Sequence, residues 1–259
     1  HLIEKYRLDA VISDNRFGLY SDKVPCVYIT HQVMIKAPFF EPLLHRLHKG
    51  YMNRFSQTWI PDHAENGLSG DLSQQYPLPE NGTFIGPLTR FHQKETALTR
   101  DVLVLISGPE PQRTRFEKMV LSQLENFSGT AMAVLGTPEK HTDRKDSKGH
   151  RIVSHLPADE METAISQARL IISRSGYSTI MDLSVLGKKA VFVPTPGQTE
   201  QEYLGKKYHT EKKHLLMLQK DFDLRKAWSE SDDFSGFASR SSKEFKPALE
   251  DFIGSLSST

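Results

Sequence analysis

A short segment that links a buried strand to a helix carries residue types suited to binding phosphate groups and sugar hydroxyls. Leu170–Ser173 is an apolar run typical of a strand buried on both faces of a parallel sheet. The turn 174–176 follows, and we predict a helix after it with Ser175 or Ser178 as the N-cap and Gly187 at its C-terminal end. Such a helix directs its free N–H groups to the carboxyl edge of the sheet, where open α/β folds bind phosphorylated ligands.

Asp182 lies one turn inside this predicted helix, on the face that also carries Ser178 and Thr179. A carboxylate in this position can accept hydrogen bonds from two vicinal hydroxyls, such as those of a ribose. The strand, the turn and the acidic helix together predict a nucleotide site. The structural alternative is a plain strand-to-helix turn, which occurs in any α/β protein.

The next stretch of sequence repeats this arrangement. Ala190–Val193 predicts a further strand, residues 194–198 a loop, and Thr199 with Glu202 a capping box that opens another helix. Two helix N-termini are therefore expected to converge at one edge of the same sheet.

These features, in this order, resemble the donor domain of GT-B glycosyltransferases and most closely family 28. In that family an arginine-serine-glycine turn precedes a helix whose acidic residue, usually glutamate, binds the nucleotide ribose, and Asp182 occupies the matching position. The resemblance implies an α/β fold with two Rossmann-like doubly wound domains. It also implies transfer of a sugar from a nucleotide diphosphate donor, with UDP as the expected nucleotide, to an acceptor hydroxyl, with inversion at the anomeric carbon.

The resemblance assigns roles to individual residues of the donor half. It implies that Asp182 holds the ribose, that segment 175–178 contacts the phosphates, and that the backbone of Leu156 meets the base. The segment from Gln198 to Glu202 is expected to contact the donor sugar. The predicted donor-binding residues are Gly108, Arg113, Leu156, Arg174, Ser175, Gly176, Ser178, Thr179, Asp182, Gln198, Gln201 and Glu202.

The sequence contains no metal-binding Cys/His spacing pattern and no His-Glu-x-x-His motif. We therefore expect no metal cofactor, and expect helix dipoles, assisted by Arg174 or Arg113, to stabilise the departing diphosphate. The loop 107–113 leaves two alternatives open. It is either a phosphate cradle or a rigid start to the next helix, because Pro109 and Pro111 each lack an N–H donor.

Three segments are predicted from the order of strands and helices. Residues 1–92 form the C-terminal part of the acceptor-side domain, residues 93–235 the nucleotide-sugar donor domain, and residues 236–259 a helix that packs back towards the N-terminal domain. Because the chain begins without Met inside a predicted helix, we expect further βα units before His1, and the N-terminal domain is incomplete in this sense.

His31 follows the predicted strand Cys26–Thr30 and resembles a histidine-containing segment on the acceptor side of the family. Its role as a base, as an acceptor contact or as a capping residue stays open, and it is the candidate catalytic residue. The histidine that usually serves as catalytic base in the family belongs to a glycine-rich loop expected before His1.

Composition excludes several classes of protein. The 33 basic and 32 acidic residues give no excess of positive charge for nucleic acid, and the single cysteine, Cys26, excludes an intrachain disulfide framework and suits the cytoplasm. No apolar run approaches the ~20 residues of a membrane-spanning helix. Phe39, Phe40 and Leu43 beside His45 and Arg46 form an amphipathic basic segment. It is either an ordinary packed helix or a peripheral contact with the inner face of the membrane, where a lipid-linked acceptor would lie.

Two other functions remain open at this point. One is a UDP-sugar hydrolase on the same scaffold, in which water replaces the acceptor. The other is a non-catalytic nucleotide-sugar binding protein with an altered phosphate loop.

Overall fold

The computed structural model describes residues 1–34, 41–240 and 245–256. The chain divides into two compact units, His1–Leu88 with the segment from Ser241 onwards, and Thr89–Arg240. The sequence analysis had placed these divisions after residues 92 and 235. Phe39 and Phe40 lie outside the described residues, and so does the side chain of Leu43.

The regular elements alternate along the chain as βα units. The strands are β1 Val11–Asp14, β2 Cys26–Ile29, β3 Gln57–Ile60, β4 Gly82–Phe84, β5 Arg100–Leu105, β6 Ala131–Val134, β7 Asp143–Lys145, β8 Arg151–Val153, β9 Ala168–Ser173, β10 Ala190–Phe192 and β11 Leu215–Leu216. The helices are α1 Leu2–Tyr6, α2 Glu41–Met52, α3 Asp71–Gln74, α4 Gln112–Leu124, α5 Ala158–Ser166, α6 Tyr177–Val185, α7 Thr199–Thr210, α8 Leu224–Glu230 and α9 Phe245–Leu256.

The first unit contains a parallel four-stranded sheet in the order β1-β2-β3-β4. Its strands are short and rich in β-branched and aromatic residues, as expected for strands buried between layers. Helix α9 packs in this unit, where Phe252 contacts the edge of the Trp59 ring and joins Val27 and Ile85 in one apolar cluster.

The second unit contains a seven-stranded sheet in the order β11-β10-β9-β5-β6-β8-β7. All pairs are parallel except the edge pair of β7 and β8. The predicted α/β class with parallel Rossmann-like sheets is confirmed.

The strand order of this sheet reverses between β5 and β9. From β5 the chain moves outward through β6 to β8, and then returns to build β9, β10 and β11 on the other side of β5. Helices α4 and α8 cover one face, where Phe116 and Leu224 pack on Val104 and Ile172. Ligands bind at such a reversal in open α/β sheets, because the loops after the two central strands diverge there and leave a crevice.

The structure corrects the predicted starts of two helices. It also forms regular elements in two polar stretches. The stretch 138–150 contains β7, which has exposed side chains and pairs antiparallel with β8, and the region after residue 214 contains β11 and α8. Helix α6 begins with Gly176 as its N-cap, not Ser175 or Ser178, and α7 begins with Gln198 as its N-cap, not Thr199. The predicted end of α6 is confirmed, since Gly187 has φ +62° and the N–H of Lys188 reaches back to the carbonyl of Leu183.

No helix within the described parts of the chain is both long and apolar enough to cross a membrane.

Candidate functional site

A cavity of about 240 Å³ opens at the carboxyl ends of the central strands of the second unit. Four apolar side chains form its wall. They are Leu105 from β5, Ile106 from the loop after β5, Val134 from β6 and Leu183 from α6. The polar groups that line it are those of Arg90, Ser107, His155, Thr179 and Asp182. An apolar cavity with a few polar groups is the usual composition of a small-molecule site.

Asp182 is a partly buried carboxylate of this cavity. Its Oδ1 accepts a 2.6 Å hydrogen bond from the hydroxyl of Thr89. Burial raises the pKa of Asp182 to about 6, while the Thr89 hydrogen bond and the charge of Arg90 act in the opposite direction. The carboxylate is therefore ionised at neutral pH and can accept further hydrogen bonds from a ligand.

The N-terminus of α6 lies beside this carboxylate and has no side-chain cap. Gly176 is the N-cap in an extended conformation, and a Cβ built on it would meet no atom within 4 Å. Ser178 in the first turn is exposed, and Thr179 lines the cavity one turn before Asp182. This end of α6 is therefore open to an anion, as the sequence predicted for a helix at this edge.

The side chain of Arg174 is buried and hydrogen-bonded within the protein, and it does not line the cavity. Its side chain is 2% exposed, and its guanidinium stacks over the ring of Phe116. Each of its five N–H groups has an acceptor. These acceptors are the carbonyls of Ser107, Gln112, Val193 and Pro194 and the side-chain oxygen of Gln219. Arg174 thus ties together the loops after β5, β9 and β10, and its expected contact with the diphosphate stays a prediction.

The charge of Arg174 still affects the site. Burial lowers its pKa to about 10, so it remains a cation at neutral pH. Within the described residues its hydrogen bonds are all to uncharged oxygens, and no carboxylate neutralises it. The nearby strand ends consequently carry an uncompensated positive charge that favours an anionic ligand.

Arg113 is also engaged within the protein, and its predicted contact with the diphosphate stays a prediction. Its guanidinium pairs with Glu110 and Glu117 at 2.6 Å each, and also donates to the carbonyl of Leu135. Glu110 additionally accepts from the backbone N–H of Thr114. The Glu110 carboxylate thus already accepts from an N–H at the start of α4. This favours the alternative in which the loop 107–113 is a rigid start to the helix over the one in which it is a phosphate cradle.

The predicted convergence of two helix N-termini is confirmed. Helices α6 and α7 follow the neighbouring parallel strands β9 and β10, and the hydroxyl of Ser175 donates to the carbonyl of Gln201 at 2.6 Å. Because this hydroxyl is used in that bond, the predicted Ser175 contact with phosphate would have to come from the backbone. The two turns are held in a fixed relation at the edge of the sheet.

The predicted sugar-binding side chains contact their own loop in this structure. Gln201 accepts from the N–H of Thr195 at 2.9 Å and donates to the side chain of Gln198 at 2.6 Å. Glu202 accepts from the N–H of Gly197 at 3.0 Å. These bonds fix the shape of the loop 194–198, and the predicted sugar contacts of the three side chains stay predictions.

Thr195 is a candidate that sequence reasoning missed. It is 1% exposed, and its hydroxyl has no hydrogen-bond partner among the residues that the structure describes. A Cβ built on Gly108 would lie 3.2 Å from this hydroxyl, and Gly108 itself has φ +109°. Gly108 therefore leaves room beside an unpaired donor, as a site for a polar ligand group requires.

Thr89 and Arg90 were missed as well. They precede the donor half of the sequence and carry no motif, and only the fold places them beside Asp182. Arg90 is exposed and, of the described residues that line the cavity, is the one with a permanent positive charge. Leu156, predicted from the resemblance, does line the cavity, although nothing tests its proposed contact with a base.

His31 follows β2 in the first unit and is partly buried. Within the described ranges, no group of three or more His, Cys, Asp or Glu side chains is arranged to hold a metal ion. The catalytic role of His31 and the absence of a metal cofactor both stay predictions.

Comparison with known proteins shows which sequence family part of this chain resembles. Residues 134–252 match the profile of the glycosyltransferase family 28 C-terminal domain. A curated relative from Haemophilus ducreyi is the UDP-N-acetylglucosamine--N-acetylmuramyl-(pentapeptide) pyrophosphoryl-undecaprenol N-acetylglucosamine transferase. It is 23% identical over 218 residues, which are 80% of this chain and 59% of the relative. The chain therefore spans 59% of the length of that protein.

Solved structures extend the similarity to the whole described fold. The glycotransferase of kitacinnamycin superposes with a TM-score of 0.60 at 15% identity, covering 98% of this chain and 77% of that one. The MurG protein of Acinetobacter baumannii gives a TM-score of 0.54 at 13% identity, covering 98% and 76%. At these identities the structures establish the fold alone. Together with the family profile they confirm the resemblance to family 28 and the GT-B fold class.

Proposed function

We propose, from the premise that residues 134–252 form a glycosyltransferase family 28 C-terminal domain, that this chain binds a UDP-sugar and serves its transfer to an acceptor hydroxyl. The observation that carries the proposal is that α6 presents Asp182 and Thr179 at one cavity and begins with Gly176, an N-cap that has no side chain. An ionised carboxylate suits a ribose, and an uncapped helix N-terminus suits a diphosphate.

The cavity suits the nucleoside part of the donor. Its volume of about 240 Å³ is below the ~300–1,000 Å³ typical of pockets that enclose a drug-sized ligand. We therefore assign the base to the apolar wall near Leu156 and the ribose to Asp182. The diphosphate then lies at Gly176 and Ser178, within reach of the unpaired hydroxyl of Thr195.

Arg90 replaces Arg174 and Arg113 as the proposed cationic side chain of the donor site. It is exposed at the cavity, whereas the other two guanidinium groups are saturated by protein acceptors. An exposed arginine can swing to a phosphate at little cost, because no existing buried bond has to break.

In the proposed reaction the bond between the anomeric carbon and the diphosphate oxygen breaks, and a bond from the acceptor oxygen to that carbon forms. The acceptor proton passes to a base, and the negative charge develops on the UDP leaving group. The α6 N-terminus and the buried charge of Arg174 stabilise that charge without a metal ion. His31 is the candidate base that the sequence offers, and inversion follows from the family resemblance.

The Haemophilus relative supports a choice of donor and acceptor. Its name specifies a UDP-N-acetylglucosamine donor and a pyrophosphoryl-undecaprenol acceptor. We accordingly propose N-acetylglucosamine as the first sugar to test and a lipid-linked hydroxyl as the acceptor. We propose accordingly that the protein takes part in cell-envelope glycan synthesis at the cytoplasmic face of a membrane.

Calorimetric titration with UDP tests the site. Asp182→Ala is expected to weaken binding by about 1–3 kcal/mol, which is roughly 5- to 150-fold, because the hydrogen bonds to the ribose are lost. Asp182→Glu should retain much of the affinity, since the family usually has glutamate there. Equal affinities of wild type and Asp182→Ala would remove the ribose assignment.

Turnover separates the three candidate functions. Radiolabelled UDP-N-acetylglucosamine is incubated with the protein, with and without a lipid-linked muramyl acceptor and with excess chelator in parallel. Labelled lipid product that persists in chelator supports metal-independent transfer. Free sugar released at the same rate without acceptor identifies a hydrolase, and donor binding without either product identifies a binding protein. Activity that is lost in chelator and restored by magnesium or manganese would contradict the proposed charge stabilisation.

A further inference from the structure

Thr89, the first residue of the second unit, makes two hydrogen bonds through one hydroxyl. The oxygen accepts from the backbone N–H of Phe91 at 3.1 Å, and the hydroxyl donates to Oδ1 of Asp182 at 2.6 Å. A hydroxyl has a single proton, so the bond from Phe91 leaves that proton free to point at the carboxylate. The two contacts join residues 93 positions apart in the sequence.

The turn that carries this hydroxyl is anchored by apolar burial. Phe91 is 2% exposed and lines the cavity next to Arg90. The buried Phe91 ring therefore fixes the backbone of this turn, and the N–H of Phe91 restrains the Thr89 hydroxyl through its hydrogen bond. Both contacts are made within the protein and need no ligand.

We infer that Thr89 is a positioning residue of the donor site, which keeps the Asp182 carboxylate in one orientation and in its ionised form. The inference rests on the proposed function, in which this carboxylate receives the ribose. A carboxylate has two oxygens with two acceptor positions each. The Thr89 bond occupies one position on Oδ1 and leaves Oδ2 and the other position of Oδ1 for the two ribose hydroxyls.

Burial makes this assistance necessary. The cavity walls raise the pKa of Asp182, and a protonated carboxyl group would present a donor where the ribose needs an acceptor. The charged and titratable groups that face Asp182 are Arg90 from the turn before Phe91 and His155 from the loop after β8. Of the polar contacts to this carboxylate that the structure describes, the Thr89 hydroxyl makes the direct one.

The experiment compares Thr89→Val, which keeps the shape but removes the hydroxyl, with Thr89→Ser, which keeps the hydroxyl. The pKa of Asp182 is measured by carbon-13 NMR of the side-chain carboxyl group in the ligand-free protein. UDP affinity is measured between pH 5.5 and 8.5 in the same variants. His155→Gln serves as the background in which the second titratable group of the cavity is removed.

Thr89→Val is expected to raise the pKa of Asp182 by roughly one unit, while Thr89→Ser stays near the wild type. A shift of this size lowers the ionised fraction at pH 6.5 roughly threefold, so UDP affinity of Thr89→Val should fall about threefold more near pH 6.5 than at pH 8.5, where the carboxylate is ionised in all variants. A loss of affinity that is equal at all pH values, with an unchanged Asp182 pKa, would show that Thr89 only packs, and would overturn the inference.

The design separates this inference from the proposed function. If wild type fails to bind UDP, the proposed function fails, and the NMR titration still decides whether Thr89 controls the ionisation of Asp182. If Asp182→Ala weakens binding while Thr89→Val changes neither the pKa nor the pH profile, the function stands and the inference is wrong. Melting temperatures of both Thr89 variants identify any loss of folding.

Discussion

Two turns of the second unit have the same topology and different chemistry. After β5 the loop leads into α4, and after β9 the turn leads into α6; the two strands are neighbours in the sheet. At α4 the carboxylate of Glu110 accepts from the N–H of Thr114 and pairs with Arg113. At α6 the N-cap Gly176 provides no side-chain cap, and a Cβ built on it would meet no atom within 4 Å.

The comparison shows that strand-turn-helix geometry alone does not make an anion site. Both helices present N–H groups at the same edge of the sheet, but at α4 the protein supplies its own anion. Only at α6 is the place of that anion left for a ligand. Arg174 connects the two turns, since it donates to Ser107 in one and to Val193 beside the other.

The largest effect is expected from removing this connection. Arg174→Met should lower the free energy of unfolding by about 3 kcal/mol or more, because several buried carbonyls lose their partner, and UDP binding should be lost with it. Arg169→Gln, on the strand β9 that precedes Arg174, is the control. Arg169 is exposed and pairs with exposed Asp232, so the expected loss is about 1 kcal/mol or less. Urea denaturation of both variants measures the difference, and similar midpoints would mean that Arg174 does not hold the turns together.

A carboxylate placed at α6 should convert this turn into a copy of the α4 turn. Gly176→Asp adds an N-cap residue with room for its side chain, and is expected to weaken UDP binding by about tenfold to a hundredfold through charge repulsion. Gly176→Asn has the same shape and capping ability without the charge. It should lose much less affinity, and both variants should melt at or above the wild-type temperature. Equal losses in the two variants would show that steric blocking, not charge, closes the site.

Thr195→Val tests the buried hydroxyl of the loop after β10, which has no hydrogen-bond partner among the described residues. Removing a buried donor that has no protein partner should leave stability unchanged or raise it by up to about 1 kcal/mol. UDP affinity should fall by roughly 3- to 10-fold if the hydroxyl donates to the diphosphate. Thermal melting and calorimetry on the same samples give both values, and a variant that is less stable but binds normally would place the role of Thr195 in the fold.

The smallest effect is expected at the turn before α4, where Glu110 already accepts from an N–H of the helix. Glu110→Gln removes the charge that faces α4, and UDP affinity should change by no more than roughly a factor of two, because no ligand phosphate is assigned there. Titration of this variant with UDP gives the result directly. A large gain or loss of affinity would mean that the loop after β5 takes part in phosphate binding, and would support the alternative that the loop 107–113 is a phosphate cradle.

The elements at this edge were predictable because their signals are local. Leu170–Ser173, the glycine turn and the apolar stripe of α6 each follow from residue types over a few positions, and so does the end of α6 at Gly187. The cap residues were placed one or two positions away. Ser175 had the right chemistry for a cap, but its hydroxyl is drawn to the carbonyl of Gln201 on α7, a contact that the local sequence does not contain.

The sequence by itself determined the strand-turn-helix order at this edge of the sheet and the presence of Asp182 inside α6. Only the tertiary structure decided which polar groups remain available to a ligand. Arg174 and Arg113 have the residue type of phosphate-binding side chains, yet the protein uses both guanidinium groups itself. Oxygens from distant segments surround Arg174, whereas Arg113 pairs with the nearby carboxylates of Glu110 and Glu117. Thr89 and Thr195 have no motif, yet folding brings one to Asp182 and leaves the other without a partner. Residue type fixes how many hydrogen bonds a side chain can make, and the long-range fold fixes how many of them the protein uses itself.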